Sequence, residues 1–284
     1  MTPDIFIIGA QKAATSSIAS ILNQHSEIIF IKDELNYISR SDYSCHQGYF
    51  HDLNEGLLKP RKYSKKKQII QYEELIKPIY EQNKLIGEHS TMYLPSELTP
   101  SRLKDLNPSP KLIVCLRNPI DRLISHYHHL VALNKTIFDL KMSLKVSSEP
   151  LINNGHYKKQ IQNWFQHFDN SSFHFIIFES FIKDPIKIIN ETIEFLELKI
   201  DNNICNKKSN QTLYPSSHIL SFFNNYLSIK YGKKGINRLI NKINLRGSKK
   251  SKILDINTYN YLNSYYKEIN HGLEKLINKN TNWY

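Results

Sequence analysis

The sequence predicts an α/β fold: one P-loop-like domain with a central, mostly parallel five-stranded sheet, flanking helices and a helical C-terminal part. Three observations predict it. Short apolar runs alternate with longer amphipathic stretches, two of the runs are apolar at nearly every position, and a turn of small residues joins the first run to a helix. Runs of that kind belong to strands covered on both faces. Strand and helix in alternation build right-handed crossovers between parallel strands.

Asp4–Ile8 (DIFII) is the first strand, and the helix that follows carries Ile18, Ile21 and Leu22 on one face at i, i+3 and i+4. Leu85–Gly87 (LIG) and Lys111–Leu116 (KLIVCL) are the next strands. Asn118 then supplies an N-cap and Pro119 a first-turn proline. Behind them, Leu123, Ile124, Tyr127, Leu130 and Val131 fall on one helical face. Phe173–Phe178 (FHFIIF) is a further strand, and Asp184-Pro185 repeats the helix-start signal ahead of Ile186, Ile189, Ile193 and Leu196. From about Ser217 onward the pattern is mostly helical.

The 284 residues, 40% hydrophobic and 23% charged, suit a single domain over 1–284 and exclude wholesale disorder. The basic stretch Lys59–Lys67 is the nearest approach to a break and reads as an exposed loop or helix start. With 38 Lys+Arg against 26 Asp+Glu, the net charge of +12 favours an anionic partner without choosing among nucleic acid, acidic sugar, anionic lipid and phosphorylated cofactor. Cys45, Cys115 and Cys205 are too scattered for a disulfide framework or a zinc site, and fit a reducing compartment. No apolar run reaches the ~18–20 residues of a membrane span. The first apolar patch, Ile5 to Ile8, is too short for the core of a signal peptide. The expectation is a cytoplasmic protein.

Chemistry gathers first at Gly9-Ala10-Gln11-Lys12-Ala13-Ala14-Thr15-Ser16-Ser17. A small-residue turn at a helix start aims backbone N–H groups and the positive end of the helix dipole at one spot. Lys12 adds a charge there, and Thr15, Ser16 and Ser17 add hydroxyls. The plainer reading is a strand end followed by a helix cap. A nucleoside triphosphatase loop reads G-x-x-x-x-G-K-[ST]. Here no glycine directly precedes Lys12, Ala13 follows it, and the strand KLIVCL leads to Arg117 rather than to an aspartate. A metal-dependent NTPase is therefore disfavoured, and a metal-free anion transfer is not.

Arg117 is the second anchor, at a strand's carboxyl end where open α/β sheets bind ligands. Alone it reads as a structural ion-pair residue. With Ser125 one to two turns into the next helix, and with the first loop, it reads as a second phosphate site.

Together these segments resemble a sulfotransferase that uses 3′-phosphoadenylyl sulfate (PAPS). That family's first motif is a strand followed by G-x-x-K, two small residues and a T-[ST]-[ST] run, matched by Gly9 to Ser17. Its second is an apolar strand, R-[DN]-P and a helix carrying a serine, matched by Arg117, Asn118, Pro119 and Ser125. The similarity is greatest to the heparan-sulfate glucosaminyl N- and 3-O-sulfotransferase branch and its bacterial relatives. Lys32-Asp33-Glu34-Leu35-Asn36-Tyr37 resembles that branch's K-x-E-x-[HN]-[FY], and Glu88 to Tyr93 resembles E-K-[ST]-P-x-Y. Gly48-Tyr49-Phe50, Gly155-His156-Tyr157 with Trp164, and Thr281-Asn282-Trp283 resemble its G-x-x-W-Y, G-x-Y…W and late-tryptophan segments. His89 stands where the branch has Lys, Thr91 where it has Pro, and Ala13 and Ala14 where it has glycines. Asn36 and Ser39 stand where the heparan enzymes often carry His and Asp.

The resemblance implies that Lys12, Ala13, Ala14, Thr15, Ser16 and Ser17 hold the 5′-phosphosulfate, and Arg117 with Ser125 the 3′-phosphate. Lys249, in the basic run Arg246–Ser251, would close over the cofactor. Product release would leave 3′-phosphoadenosine 5′-phosphate (PAP), with no metal involved. Glu34 becomes the candidate general base, expected in a partly desolvated setting, and Lys12 steadies the departing phosphate. Asn36, His89 and Tyr157 become candidate contacts for a saccharide or glycolipid acceptor. His126, His128 and His129 lie on the helix after Arg117 without a metal-binding pattern, so no metal is expected there either. A P-loop nucleotide kinase is the alternative enzyme. A non-catalytic basic nucleic-acid binder is the alternative class, but no helix-turn-helix, RNA-recognition or zinc-finger signature supports it. No nucleic-acid partner is expected.

Overall fold

The computed structural model describes residues 2–40, 42, 45, 65–81, 83–133, 135, 136, 138–146, 149–200 and 254–284. The described elements are β1 (Ile5–Gly9), α1 (Thr15–Leu22), β2 (Ile28–Phe30), α2 (Lys65–Ile76), β3 (Leu85–His89), α3 (Thr99–Leu106) and β4 (Lys111–Leu116). They continue with α4 (Pro119–Ala132), α5 (Leu140–Val146), α6 (Glu149–Ile152), α7 (Tyr157–Phe165), β5 (Phe173–Ile177), α8 (Phe178–Lys183) and α9 (Pro185–Phe195). Ile256–Ile269 and Leu273–Ile277 are named α10 and α11 here. Among the described residues, 2–118, 156–200 and 270–283 form one compact unit, and 119–155 with 254–269 another.

The first unit holds a five-stranded sheet in the order β2-β3-β1-β4-β5, and each neighbouring pair is parallel. Every residue of β1 is buried, and in β4 all but Lys111 are. That is why both strands read as uninterrupted apolar runs: helices cover the two faces, and no position turns to water. Ile5 pairs with Gly87 of β3 on one side and with Lys111 of β4 on the other. This register brings Gly9, His89 and Leu116 to the same carboxyl edge of the sheet, on either side of its central strand. In open parallel sheets that edge is where ligands bind.

Strand β2 is an addition to the four strands read from the sequence. It has three residues at the sheet's margin, too few for a periodic signal. Strand β3 runs on to His89 beyond the expected Gly87, and β5 stops at Ile177 because Phe178 opens α8. Helix α9 starts as its Asp184-Pro185 signal predicts, with the Asp184 carboxylate accepting the Lys187 N–H at 3.1 Å. Of the helical C-terminal part, α10 and α11 are described. Gly48-Tyr49-Phe50, residues 217–253 and Lys249 among them lie outside the described residues.

The second unit packs Ile120, Leu123, Tyr127 and Val131 of α4 with Leu140, Leu151, Leu262 and Tyr266. The face read from the sequence is therefore the buried one, with Ile124 and Leu130 at its border. Among the described residues, no helix is long and apolar enough to cross a membrane.

Gly87 sits opposite Phe30 in the β2–β3 register, and a methyl group there would meet the Phe30 ring at 2.6 Å. Phe30 is buried and cannot swing into solvent without uncovering its ring. Gly87→Ala should cost about 1–3 kcal/mol by overpacking, read as a lower urea midpoint. An unchanged midpoint would mean that the ring has room the packing does not reveal.

Candidate anion-binding and transfer site

The turn after β1 is held from two directions. Ala10 N–H donates to the Cys115 carbonyl of β4 at 2.6 Å, and Leu94 N–H donates to the Ile8 carbonyl at 2.8 Å. Gly9 has φ +150, and a side chain there would meet the Leu94 Cβ at 2.7 Å, so both backbone and space call for glycine. Lys12 and Ala14 have φ 70 and 66, left-handed values that cost a non-glycine residue roughly 1–2 kcal/mol each. Such conformations persist where surrounding bonds enforce them, commonly at ligand sites. Here the Lys12 carbonyl accepts a hydrogen bond from Arg117 Nη1 at 3.1 Å.

Ala14 precedes α1 and contributes no side-chain cap. The first i→i−4 bond of the helix runs from Ile18 N–H to the Ala14 carbonyl at 3.0 Å, so the amides of Thr15, Ser16 and Ser17 come before it. Thr15 is buried, Ser17 half-buried and Ser16 exposed. The turn thus ends in a helix N-terminus without a side-chain cap and with hydroxyls at hand.

Arg117 is fixed rather than floating. Besides its bond to Lys12, its guanidinium lies 4.4 Å from the centre of the Phe178 ring. Its Nε is buried without a hydrogen-bond partner among the described residues, and so is Gln11 Oε1. Burial and the neighbouring Arg117 charge both lower the Lys12 ammonium pKa, while the charge of Glu34 pulls it up. Two cations pressed together and one carboxylate beside them make a place that an anion would stabilise.

Glu34 stands on the loop after β2. Its Oε1 accepts the Thr91 N–H at 2.7 Å and also the Thr91 hydroxyl. The expected desolvated setting is not what the fold provides: Glu34 is exposed, because its loop leaves the marginal strand of the sheet. Its carboxylate is oriented by Thr91 instead of by burial. Where the sulfotransferase branch has a proline, this chain thus has both an N–H and a hydroxyl to offer.

Behind Glu34 lies a carboxylate that sequence reading noted only as part of a motif. Glu88 is fully buried. Its Oε2 accepts from the Tyr72 hydroxyl, and its Oε1 from Ser90 Oγ at 2.6 Å and the Tyr93 hydroxyl at 2.7 Å. Ser90 Oγ and the Tyr93 hydroxyl in turn accept the Asn36 and Ile38 N–H groups at 2.9 and 3.2 Å. Glu88 therefore anchors the Glu34 loop through two hydroxyls. A charged residue inside the apolar run LIGEH was the available signal.

The other expected contacts divide. His89 is buried, and burial lowers its pKa against the pull of Glu34, so the ring is neutral near pH 7; its Nδ1 has no partner among the described residues. Asn36 has φ 48, and its Oδ1 accepts the Met92 N–H at 3.2 Å, which leaves the amide nitrogen for other work. Tyr157 must be corrected. It is fully buried, its hydroxyl donates to the Arg117 carbonyl at 2.9 Å, and its ring meets Trp283. Tyr157 supports Arg117 and has no surface for an acceptor. Ser125 is half-buried on α4, in the second unit.

Residues 2–270 match the family model described as the sulfotransferase domain, and the chain belongs to that family. Its members take their sulfuryl group from PAPS. Heparan sulfate glucosamine 3-O-sulfotransferase 5 of Mus musculus is 24% identical over 210 residues, covering 69% of this chain and 54% of that protein. The chain spans about half the length of the curated relatives it matches. Among solved structures, a sulfotransferase from Alicyclobacillus acidocaldarius superposes with a TM-score of 0.69 at 23% identity, over 99% of this chain and 97% of that one. The sulfotransferase domain from the curacin biosynthetic pathway gives 0.54 at 15% identity, over 96% and 98%. Both likenesses bear on the fold.

Burial holds the Glu88 carboxyl above the usual range, outweighing three hydroxyl donors that favour its charged form. A carboxyl raised by folding supports the fold fully below its unfolded pKa, about 4.3, and loses that support as pH climbs through its folded value. Glu88→Gln cannot titrate. The stability gap between wild type and variant, followed by urea melts, should therefore narrow as pH rises from about 4 to about 8. A gap that widens would mean that the hydroxyl donors win over burial.

Proposed function

We propose that this protein is a sulfotransferase that moves a sulfuryl group from PAPS to a hydroxyl or amine of a carbohydrate or glycolipid, with Glu34 as general base. One observation carries the reading: Lys12 and Arg117 are joined by a hydrogen bond at the carboxyl edge of the sheet, within reach of the charge on Glu34.

The residues present suit the donor. A paired lysine and arginine, a helix N-terminus with no side-chain cap and a buried Arg117 Nε that has no partner among the described residues match an anion with several phosphate oxygens. Lys12 to Ser17 would hold its 5′ end and Arg117 its 3′-phosphate, with Ser125 and Lys249 as further contacts on the strength of the family motifs. PAPS supplies, when bound, a sulfuryl group on a phosphosulfate anhydride.

This chain's own residues do the rest. Lys12 lends a positive charge and N–H donors to oxygens that gain negative charge. Glu34 accepts the proton of the acceptor hydroxyl or amine, and Thr91 keeps its carboxylate turned in one direction. His89, held neutral, can exchange hydrogen bonds with an acceptor hydroxyl without adding charge. The Asn36 amide nitrogen serves the same end. The net charge of +12 suits an anionic donor and tolerates an acidic sugar chain.

Calorimetric titration with PAP, against ATP with magnesium, tests the donor. PAP should bind without metal, and Lys12→Ala should weaken it roughly 10- to 100-fold, the worth of a charged hydrogen bond. Binding of ATP with magnesium alone would hand the site to a kinase. Glu34→Gln should keep wild-type PAP affinity yet lose about 10²- to 10⁴-fold in sulfate transfer from labelled PAPS to a panel of saccharides and glycolipids. Lost PAP affinity in that variant would show that Glu34 belongs to the donor pocket.

A further inference from the structure

The peptide group between Arg117 and Asn118 is held at both of its polar atoms. Its carbonyl accepts the Tyr157 hydroxyl at 2.9 Å, and its N–H donates to Glu179 Oε1 at 2.9 Å. The two holders stand on different helices, α7 and α8, and one further residue touches both. Trp283 donates its indole N–H to Glu179 Oε2 at 3.0 Å, and its ring lies 5.8 Å from that of Tyr157, tilted by 52°. Phe178, the neighbour of Glu179 on α8, lies under the Arg117 guanidinium at 4.4 Å.

Trp283 is itself pinned. Glu274 Oε1 of α11 accepts both the Thr281 N–H at 2.6 Å and the Thr281 hydroxyl at 2.7 Å, and Asn282 N–H donates to Asn280 Oδ1 at 3.0 Å. These bonds hold the segment after α11 just ahead of Trp283. Glu179 has one oxygen on the Arg117–Asn118 peptide and the other on the indole. If the indole N–H is lost, Glu179 has a second acceptor oxygen unsatisfied and regains freedom to turn. The peptide it orients then loosens.

We infer that Trp283 and Glu179 are positioning residues for Arg117, closing a clasp that presets its guanidinium for the 3′-phosphate of the nucleotide. The inference rests on the reading of Arg117 as the 3′-phosphate contact. Its distinguishing mark is that the clasp acts on one end of the ligand. The turn around Lys12 has two holds besides Arg117 Nη1: Ala10 N–H on the Cys115 carbonyl and Leu94 N–H on the Ile8 carbonyl. Weakening the clasp should therefore spare ligands without a 3′-phosphate.

The experiment is calorimetry on the full chain with two probes: PAP, which has the 3′-phosphate, and adenosine 5′-phosphosulfate, which lacks it. Trp283→Phe keeps an aromatic ring against Tyr157 while removing the indole N–H and one ring of the bicycle. It should bind PAP roughly three- to tenfold more weakly, the worth of one hydrogen bond, with its affinity for adenosine 5′-phosphosulfate unchanged. Glu179→Gln, which can still accept from Asn118, should show the same selective loss and serves if the tryptophan variant folds poorly. Equal losses for both probes, or wild-type PAP affinity in both variants, would overturn the clasp. A wild-type chain that binds neither probe would overturn the donor assignment beneath it.

Discussion

The hydrogen bond from Arg117 Nη1 to the Lys12 carbonyl ties the two anion-binding segments of the site together. It joins the turn after β1 to the end of β4, two segments far apart in sequence that the sheet register delivers side by side. It is one of the bonds that hold the turn in which Lys12 is left-handed. It also keeps two positive charges at close quarters, which raises the free energy of the empty arrangement and makes it selective for anions. The geometry of the loop and its electrostatics are thus one constraint seen twice.

Acidic residues surround this pair in three different states. Glu34 is exposed and steered by Thr91; Glu88 is buried beneath hydroxyls; Glu179 is shared between a backbone N–H and an indole. Only the first stands where a proton could pass to and from solvent or substrate. The other two hold the backbone of the loops that present Glu34 and Arg117. This division lets the exposed Glu34 carboxylate, on the loop after a marginal strand, keep its orientation, because that loop is bonded to groups rooted in the core.

Much of this was legible in the residues, for physical reasons. Strands β1 and β4 announce themselves because burial on both faces leaves no polar position, and α9 because an aspartate and a proline mark its first turn. Lys12 and Arg117 follow from the chemistry of small-residue turns and strand ends. Strand β2 escaped because three residues carry no period. Tyr157 was read as facing an acceptor because the sequence cannot show that its hydroxyl meets a carbonyl forty positions earlier and its ring an indole near the other end of the chain. The Glu34 surroundings escaped for a related reason: desolvation depends on which strand is marginal, a property of the whole sheet.

The clasp has a spectroscopic consequence. The chain has two tryptophans, Trp164 fully buried and Trp283 largely so. The Trp164 indole donates to the Leu94 carbonyl at 3.3 Å and stacks on Phe168, so its N–H meets an uncharged oxygen. The Trp283 indole donates to a carboxylate and leans on a tyrosine. A buried indole is sensitive to the charge its N–H meets. The unlabelled protein thus contains two emitters with different electrostatic surroundings, one rooted in the core and one two bonds removed from Arg117.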